Sequence, residues 1–318
     1  ACDAEVWLHP LPPPRDILLE KVAICEGLVS LLTDSIDVEL MDAAPGLRVI
    51  SNFAVGFNNI DIDAATRRGI PVGNTPDVLT DATADMAFCL MIAAGRRILE
   101  SNTDLRENHW KTWEPLGHVG TDLAGKTVGI VGMGRIGYAL ARRCHGGWGM
   151  RVLYSDVVEN EAANVNCQAR KVDFDTLLAE SDFVSVHTVL SEETRGLFDA
   201  EAFRKMKPTA VFVNTARGPI LDPADLYKAL RDGEIFAAGL DVTNPEPIPR
   251  DDPLLLLSNV IITPHIASAT TSTRDAMAEI AAENLLAGLR GEPLRAYVNP
   301  EVETLRRHGT APGGRAPE

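Results

Sequence analysis

An α/β fold built on two parallel sheets is predicted from three features of the sequence. From about Lys126 onward, short β-branched runs alternate with stretches long enough for a helix, the pattern of parallel strands joined by right-handed crossovers. The same alternation recurs in shorter form between Gly27 and Gly73. The chain has 318 residues, 45% of them hydrophobic, enough for two domains of roughly 150 residues with separate cores.

In the smaller, N-terminal unit the strand candidates are Gly27–Leu32, Arg48–Asn52 and Ile70–Gly73, with helices beginning near Asp34 and Asp61. A long, mostly apolar helix follows over Thr80–Ala94. The larger unit has six strand candidates: Val128–Val131, Arg151–Ser155, Phe183–His187, Ala210–Asn214, Ala237–Leu240 and Val260–Thr263. Six such strands complete a doubly wound, dinucleotide-binding sheet. One more helix, Ser272–Leu289, is capped by Ser272 and stopped at Gly291 and Pro293. The Gly-, Pro- and Arg-rich stretch His308–Glu318 lacks apolar periodicity and is expected to be a disordered tail.

Composition narrows the function. Thirty basic against 45 acidic side chains leave a net charge of −15, with no basic run, which argues against nucleic acid or an anionic membrane surface as partner. The expected partner is a small molecule. Five scattered cysteines without a C-x-x-C pair argue against a disulfide framework or a zinc site, so no metal is assigned and a reducing cytoplasm fits. The longest apolar run, Met86 to Ala94, is too short to span a bilayer, and the N-terminus has no signal pattern.

The segment Val128-Gly-Ile-Val-Gly-Met-Gly-Arg-Ile-Gly137 ends a strand with Gly132-x-Gly134-x-x-Gly137 and enters a helix read as Ile136–Cys144. Gly132 permits the tight turn, Gly134 lets a pyrophosphate approach the backbone, and Gly137 lets helix and strand pack closely. Asp156 ends the next strand, 19 residues after Gly137, close to the roughly 20 expected of a ribose-binding acid. Val157 and Val158 follow it and the next cation in sequence is Arg170, so NAD(H) is expected over NADP(H).

Arg217, Glu246 and His265 each follow a strand of this sheet, and ligands of doubly wound sheets bind at the carboxyl ends of the strands. Reduction of a 2-oxo acid needs this trio: a guanidinium fork for the carboxylate, an imidazole to protonate the nascent hydroxyl, and a carboxylate to keep that imidazole charged.

Five motifs bring a family into view. They are Asn52-Phe-Ala-Val-Gly-Phe-Asn-Asn-Ile-Asp61, Gly132-Met-Gly-Arg-Ile-Gly137, Asn214-Thr-Ala-Arg-Gly218, Gly239-Leu-Asp-Val-Thr-Asn-Pro-Glu-Pro247 and Pro264-His-Ile-Ala-Ser268. From about Glu5 to Pro300 the chain resembles the D-isomer-specific 2-hydroxyacid dehydrogenase family. The stretches Trp110-Lys-Thr-Trp113-Glu-Pro-Leu-Gly117 and Leu285-Leu-Ala-Gly-Leu-Arg-Gly-Glu-Pro293 resemble its glyoxylate/hydroxypyruvate reductase branch.

The resemblance implies a Rossmann cofactor lobe (78–268) inserted in a smaller flavodoxin-like substrate lobe (1–77 and 269–318), the latter lacking the strand and helix that usually precede the position of Glu5. It implies that Val55 and Gly56 offer N–H groups to the substrate carboxylate beside Arg217. Arg135 and Ile136 would lie on the pyrophosphate, Thr215 would join the cofactor-binding set, and Asp241 would bind the nicotinamide carboxamide. It also implies a homodimer in which Trp113 reaches the neighbour's substrate pocket. Independently, the apolar helix Thr80–Ala94 offers more apolar surface than one sheet needs.

The chain departs from the family at Val189, where a proline or small polar residue is usual, and at the glycine-rich Cys144-His-Gly-Gly-Trp-Gly149. The expected activity is reduction of glyoxylate or hydroxypyruvate. Phosphoglycerate dehydrogenase and an NAD-responsive corepressor-type binding protein of the same fold remain as alternatives. Formate dehydrogenase is disfavoured, since Glu246 stands where a glutamine is usual.

Overall fold

The computed structural model describes residues 3–306. Two compact units divide the chain, Ala1–Val78 with Thr271–Glu318, and Leu79–Thr270. The stretch expected to be a tail, His308–Glu318, lies outside the described residues.

The first unit holds a parallel sheet of three strands, β1 (Gly27–Ser30), β2 (Val49–Asn52) and β3 (Val72–Gly73), in that spatial order. Its core is Ile36, Leu40, Ile50, Ile70 and Val72 with neighbouring apolar side chains. The helix Thr271–Arg290 lies against the sheet at van der Waals distance, because Gly288 faces Val49: a Cβ at 288 would sit 2.3 Å from Val49 Cγ2.

Asp61 caps the helix Ile62–Arg67, its carboxylate accepting from Ala64 N at 2.8 Å. The helix expected near Asp34 instead runs over Val38–Ala43 and is capped by Asp37, because Asp34 closes a turn on Leu31 N at 2.7 Å. Ser272 is likewise no cap: the last helix begins at Thr271. A helix over Arg15–Val22 was not anticipated; Arg15 ties it to Asp37 and Glu39.

The second unit carries seven parallel strands: β4 (Thr127–Val131), β5 (Arg151–Ser155), β6 (Arg170–Lys171), β7 (Phe183–Val186), β8 (Val211–Asn214), β9 (Ala237–Leu240) and β10 (Val260–Ile262). Their spatial order is β10-β9-β8-β7-β4-β5-β6, with the chain reversing direction across the sheet between β4 and β7. Six match the strands read from the sequence. The seventh, β6, was hidden because it is a two-residue edge strand of exposed Arg and Lys, the charged edge that discourages further pairing.

Both faces of this sheet are covered. Val128 and Ile130 point into a core shared with Leu90, Leu140 and Phe183, while Val131 joins Phe198, Phe203, Phe212 and Leu226 on the opposite face. Successive strand residues face opposite sides, so an inner strand between two helix layers must be apolar throughout. Gly129 is required within β4: a Cβ there would fall 2.7 Å from Leu177 Cδ2.

The helix after the glycine-rich turn runs further than expected, Arg135–Trp148, passing through Gly146 and Gly147 and ending on Gly149 in the left-handed conformation (φ +59°). Val189 is exposed, its carbonyl accepting from Thr194 Oγ1 at 2.6 Å. Among the described residues no helix is long and apolar enough to cross a membrane.

Candidate active site

The phosphate turn is built by backbone proximity. Gly132 has φ +94°, and a Cβ there would meet Thr188 N at 2.6 Å, so a side chain is barred by both conformation and space. A Cβ on Gly137 would lie 2.1 Å from Gly132 O, which brings the helix onto the turn. Gly134 has nothing within 4 Å of its Cβ position and begins a helix that has no side-chain cap. An uncapped helix start with open space before it suits a pyrophosphate, with Arg135 and Ile136 in its first turn.

Asp156 stands at the end of β5, beside this turn. Its Oδ2 accepts from Met133 N at 2.7 Å and its Oδ1 from Val158 N at 3.1 Å. A carboxylate has lone pairs left after these two bonds, as a ribose diol requires. The sequence left Asp156 without a neighbouring cation; the structure adds one. Strand β6 pairs with β5, and Lys171 Nζ reaches the carbonyl of Val157 at 3.1 Å.

Thr215 is buried and its hydroxyl has no hydrogen-bond partner among the described residues. An orphaned hydroxyl at the end of β8 calls for an external group. His187, after β7, is pushed down to about 3 by burial, so its imidazole is neutral; Nε2 lies 2.8 Å from Ser185 Oγ. With the open glycine turn, these features fit a dinucleotide.

The three charged candidates come together in this unit. Glu246 Oε1 lies 2.6 Å from His265 Nδ1, and Glu246 Oε2 accepts from Thr243 N at 3.2 Å. Partial burial works against the Glu246 carboxylate, but the His265 hydrogen bond and charge, the Thr243 N–H and Arg217 outweigh it and hold it below the usual carboxylate range. Burial pulls the Arg217 guanidinium below its ordinary value, opposed by Glu246. Its Nη1 donates to Ala216 O at 2.7 Å.

Two supports position Arg217 and Glu246. Asn214 braces the Arg217 turn, accepting from Ala216 N at 3.0 Å and donating to Arg217 O at 2.9 Å. Gly218 allows the turn to touch the Glu246 loop: a Cβ there would lie 1.8 Å from Thr243 O. Neither support was singled out from sequence, although both sit inside the Asn214–Gly218 motif.

Asp241 supports His265. It is fully buried, and its carboxylate accepts from Thr263 Oγ1 (2.6 Å), Ile266 N (2.9 Å) and Ala267 N (2.7 Å), while its carbonyl accepts from His265 N (2.9 Å). His265 needs this hold, because it occupies the left-handed region at φ +53°, which costs a non-glycine residue about 1–3 kcal/mol.

In the first unit, the carbonyls of Val55 and Gly56 accept from Asn74 Nδ2 (2.9 Å) and Asn52 Nδ2 (2.8 Å). Among the described residues neither N–H is hydrogen-bonded within the protein. Trp113 is 78% exposed and Trp110 60%, so neither tryptophan is a core residue.

A family model described as "D-isomer specific 2-hydroxyacid dehydrogenase, NAD binding domain" matches residues 88–267. The chain is 50% identical over 308 residues to a glyoxylate reductase of Korarchaeum cryptofilum, covering 96% of this chain and 92% of that protein. It is 47% identical over 306 residues to a glyoxylate reductase of Thermococcus litoralis, covering 95% and 92%. Among solved structures, the TT0316 protein of Thermus thermophilus superposes with a TM-score of 0.86 at 45% identity, over 91% of this chain and 90% of that one. With this breadth of similarity added to an NAD-binding sheet, the chain belongs to the D-isomer-specific 2-hydroxyacid dehydrogenase family.

Proposed function

We propose that this enzyme reduces glyoxylate, and hydroxypyruvate with it, to the corresponding D-2-hydroxy acid. The observation that carries the chemistry is the 2.6 Å contact between Glu246 Oε1 and His265 Nδ1. With Nδ1 held by the carboxylate, Nε2 is the nitrogen left to give a proton to the substrate oxygen. Glu246, held in its charged form, stabilises the imidazolium. Arg217 anchors the substrate carboxylate through charge-assisted hydrogen bonds. Asp241, besides its family assignment to the carboxamide, keeps the His265 loop in place. On the family resemblance alone, Val55 and Gly56 are further donors for the substrate carboxylate.

A bound reduced nicotinamide supplies the hydride. The substrate choice is supported by the named activity of the relatives, and the rate of NADH oxidation with glyoxylate tests it.

NADH is the preferred cofactor in this reading, because a 2′-phosphate would approach the Asp156 carboxylate. Lys171 softens the repulsion. Lys171→Ala is therefore expected to lower kcat/KM for NADPH while leaving that for NADH near wild type. Equal losses with both cofactors would show that Lys171 serves only the stability of β6.

We assign the working form as a homodimer built on the second unit. Nothing in the helix Ile98–Arg106 is fully buried, and Ile98, Leu99, Leu105, Trp110, Trp113 and Leu116 are all exposed within about one helix and one loop. Isolated exposed apolar residues are ordinary, but a run of six is an interface signature. The sequence placed the excess apolar surface on Thr80–Ala94; most of that helix's large side chains face the core or are partly covered, and the open surface lies on the next helix. Trp113 is assigned to the neighbour's substrate pocket, so Trp113→Ala is expected to relax discrimination among small 2-oxo acids without changing NADH affinity. An active monomer, or an unchanged substrate ranking in the variant, would remove that role.

A further inference from the structure

We propose that Asp104, Glu107 and His109 form a binding site for a divalent transition metal, zinc being the metal that suits it, with His118 as the outer partner of Asp104. The site lies wholly within the second unit and is independent of the catalytic reading.

Chain reversal at the end of the helix Ile98–Arg106 creates it. Asn108 turns the backbone through the left-handed region (φ +61°), and His109 N then donates to Asp104 O at 2.8 Å. This brings His109 back onto Asp104. Its Nδ1 lies 3.5 Å from Asp104 Oδ1 and 3.6 Å from Glu107 Oε2, and the three donor atoms fall within 4.8 Å of one another. Both separations are longer than good hydrogen bonds. They match the edges of a zinc tetrahedron, about 3.4 Å for bonds of ~2.1 Å, so a metal fits between the groups after small side-chain movements.

The surroundings favour a cation. Among the described residues neither carboxylate makes an ion pair with lysine or arginine; the nearby Arg97, which feels the Asp104 charge, is paired with Glu100. The second oxygen of Asp104 lies 3.0 Å from His118 Nε2, the arrangement in which an outer histidine orients a ligating carboxylate. His118 is itself held at φ +48°, with Nδ1 buried and unpartnered. One imidazole and two carboxylates, with room for water, select zinc or a neighbouring transition metal over magnesium or calcium. Among the described residues this is the one group of three such donors close enough to share an ion. A bound metal would clip the base of the loop that presents Trp110 and Trp113.

Titration of the metal-free full chain with zinc, followed by calorimetry and by tryptophan fluorescence, tests this. The expected result is one zinc per chain with a fluorescence change, since Trp110 adjoins His109, and no response to magnesium. His109→Ala and Glu107→Gln should each remove that equivalent, and His118→Ala should weaken it by about 10- to 100-fold. His109 is 63% exposed on its side chain, so its truncation should leave the fold intact, as circular dichroism would verify. NADH affinity should be unchanged in all three variants. Wild-type zinc stoichiometry and affinity in His109→Ala would place the metal elsewhere, on cysteines for instance, and overturn the proposal; so would absence of zinc binding by the unmodified chain.

Discussion

Replacing His265 by alanine is expected to lower kcat by about 10²- to 10⁴-fold, the usual worth of a positioned proton donor. NADH affinity should stay near wild type, because His265 belongs to the loop after β10 and not to the glycine turn after β4. The pH dependence carries the sign of the mechanism. In the proposed mechanism reduction consumes a proton delivered through His265, so the wild-type rate is expected to fall as pH rises. On the acid side Glu246 is held below the usual carboxylate range, so its pairing with His265 is intact above that range and is lost only as pH falls through the lowered value. Glu246→Gln should therefore remove the acid-side fall, since an amide has no carboxylate to protonate. A His265→Ala enzyme with near wild-type kcat, or a Glu246→Gln profile superimposable on wild type, would remove the pair from the chemistry.

Arg217→Ala should act on substrate binding. Loss of a charge-assisted contact with a carboxylate is worth about 1.5–3 kcal/mol, or about 10- to 150-fold in KM for glyoxylate. Lysine should not restore it, because a point charge cannot reproduce the planar fork. The half-buried guanidinium beside Glu246 has already lost part of its solvation, which strengthens its interaction with an incoming anion. Steady-state kinetics on glyoxylate and on NADH separate the outcomes: a raised KM for glyoxylate alone is expected, and an unchanged one would assign Arg217 to the turn it braces.

What could be read in advance divides along physical lines. The inner strands β4, β5 and β7–β9 were legible because strands buried on both faces must be apolar throughout, and the edge strand β10 because its three residues are Val-Ile-Ile. The glycine turn was legible because Gly132 and Gly137 answer distinct steric demands of the protein and Gly134 leaves the approach to the helix start open. Strand β6 was not, being two charged residues long, and with it went the cation near Asp156, since linear spacing cannot show that β5 and β6 are neighbours. Asn214 and Gly218 act through contacts of the backbone, with Gly218 pressed against Thr243 some 25 residues away in sequence, and only the fold reveals such a contact. From its own sequence Asp241 reads only as a strand-end acid, its cofactor role coming from the family resemblance, and its three bonds to Thr263, Ile266 and Ala267 depend on how the β10 loop folds back.

The most direct measurement is steady-state NADH oxidation by the full chain against a panel of 2-oxo acids, with the product of hydroxypyruvate resolved by chirality. Turnover of glyoxylate and hydroxypyruvate above pyruvate and bulkier acids, with D-glycerate as product, is the predicted result. NADH binding without turnover of any 2-oxo acid would contradict it and leave this chain a nicotinamide-responsive binding protein.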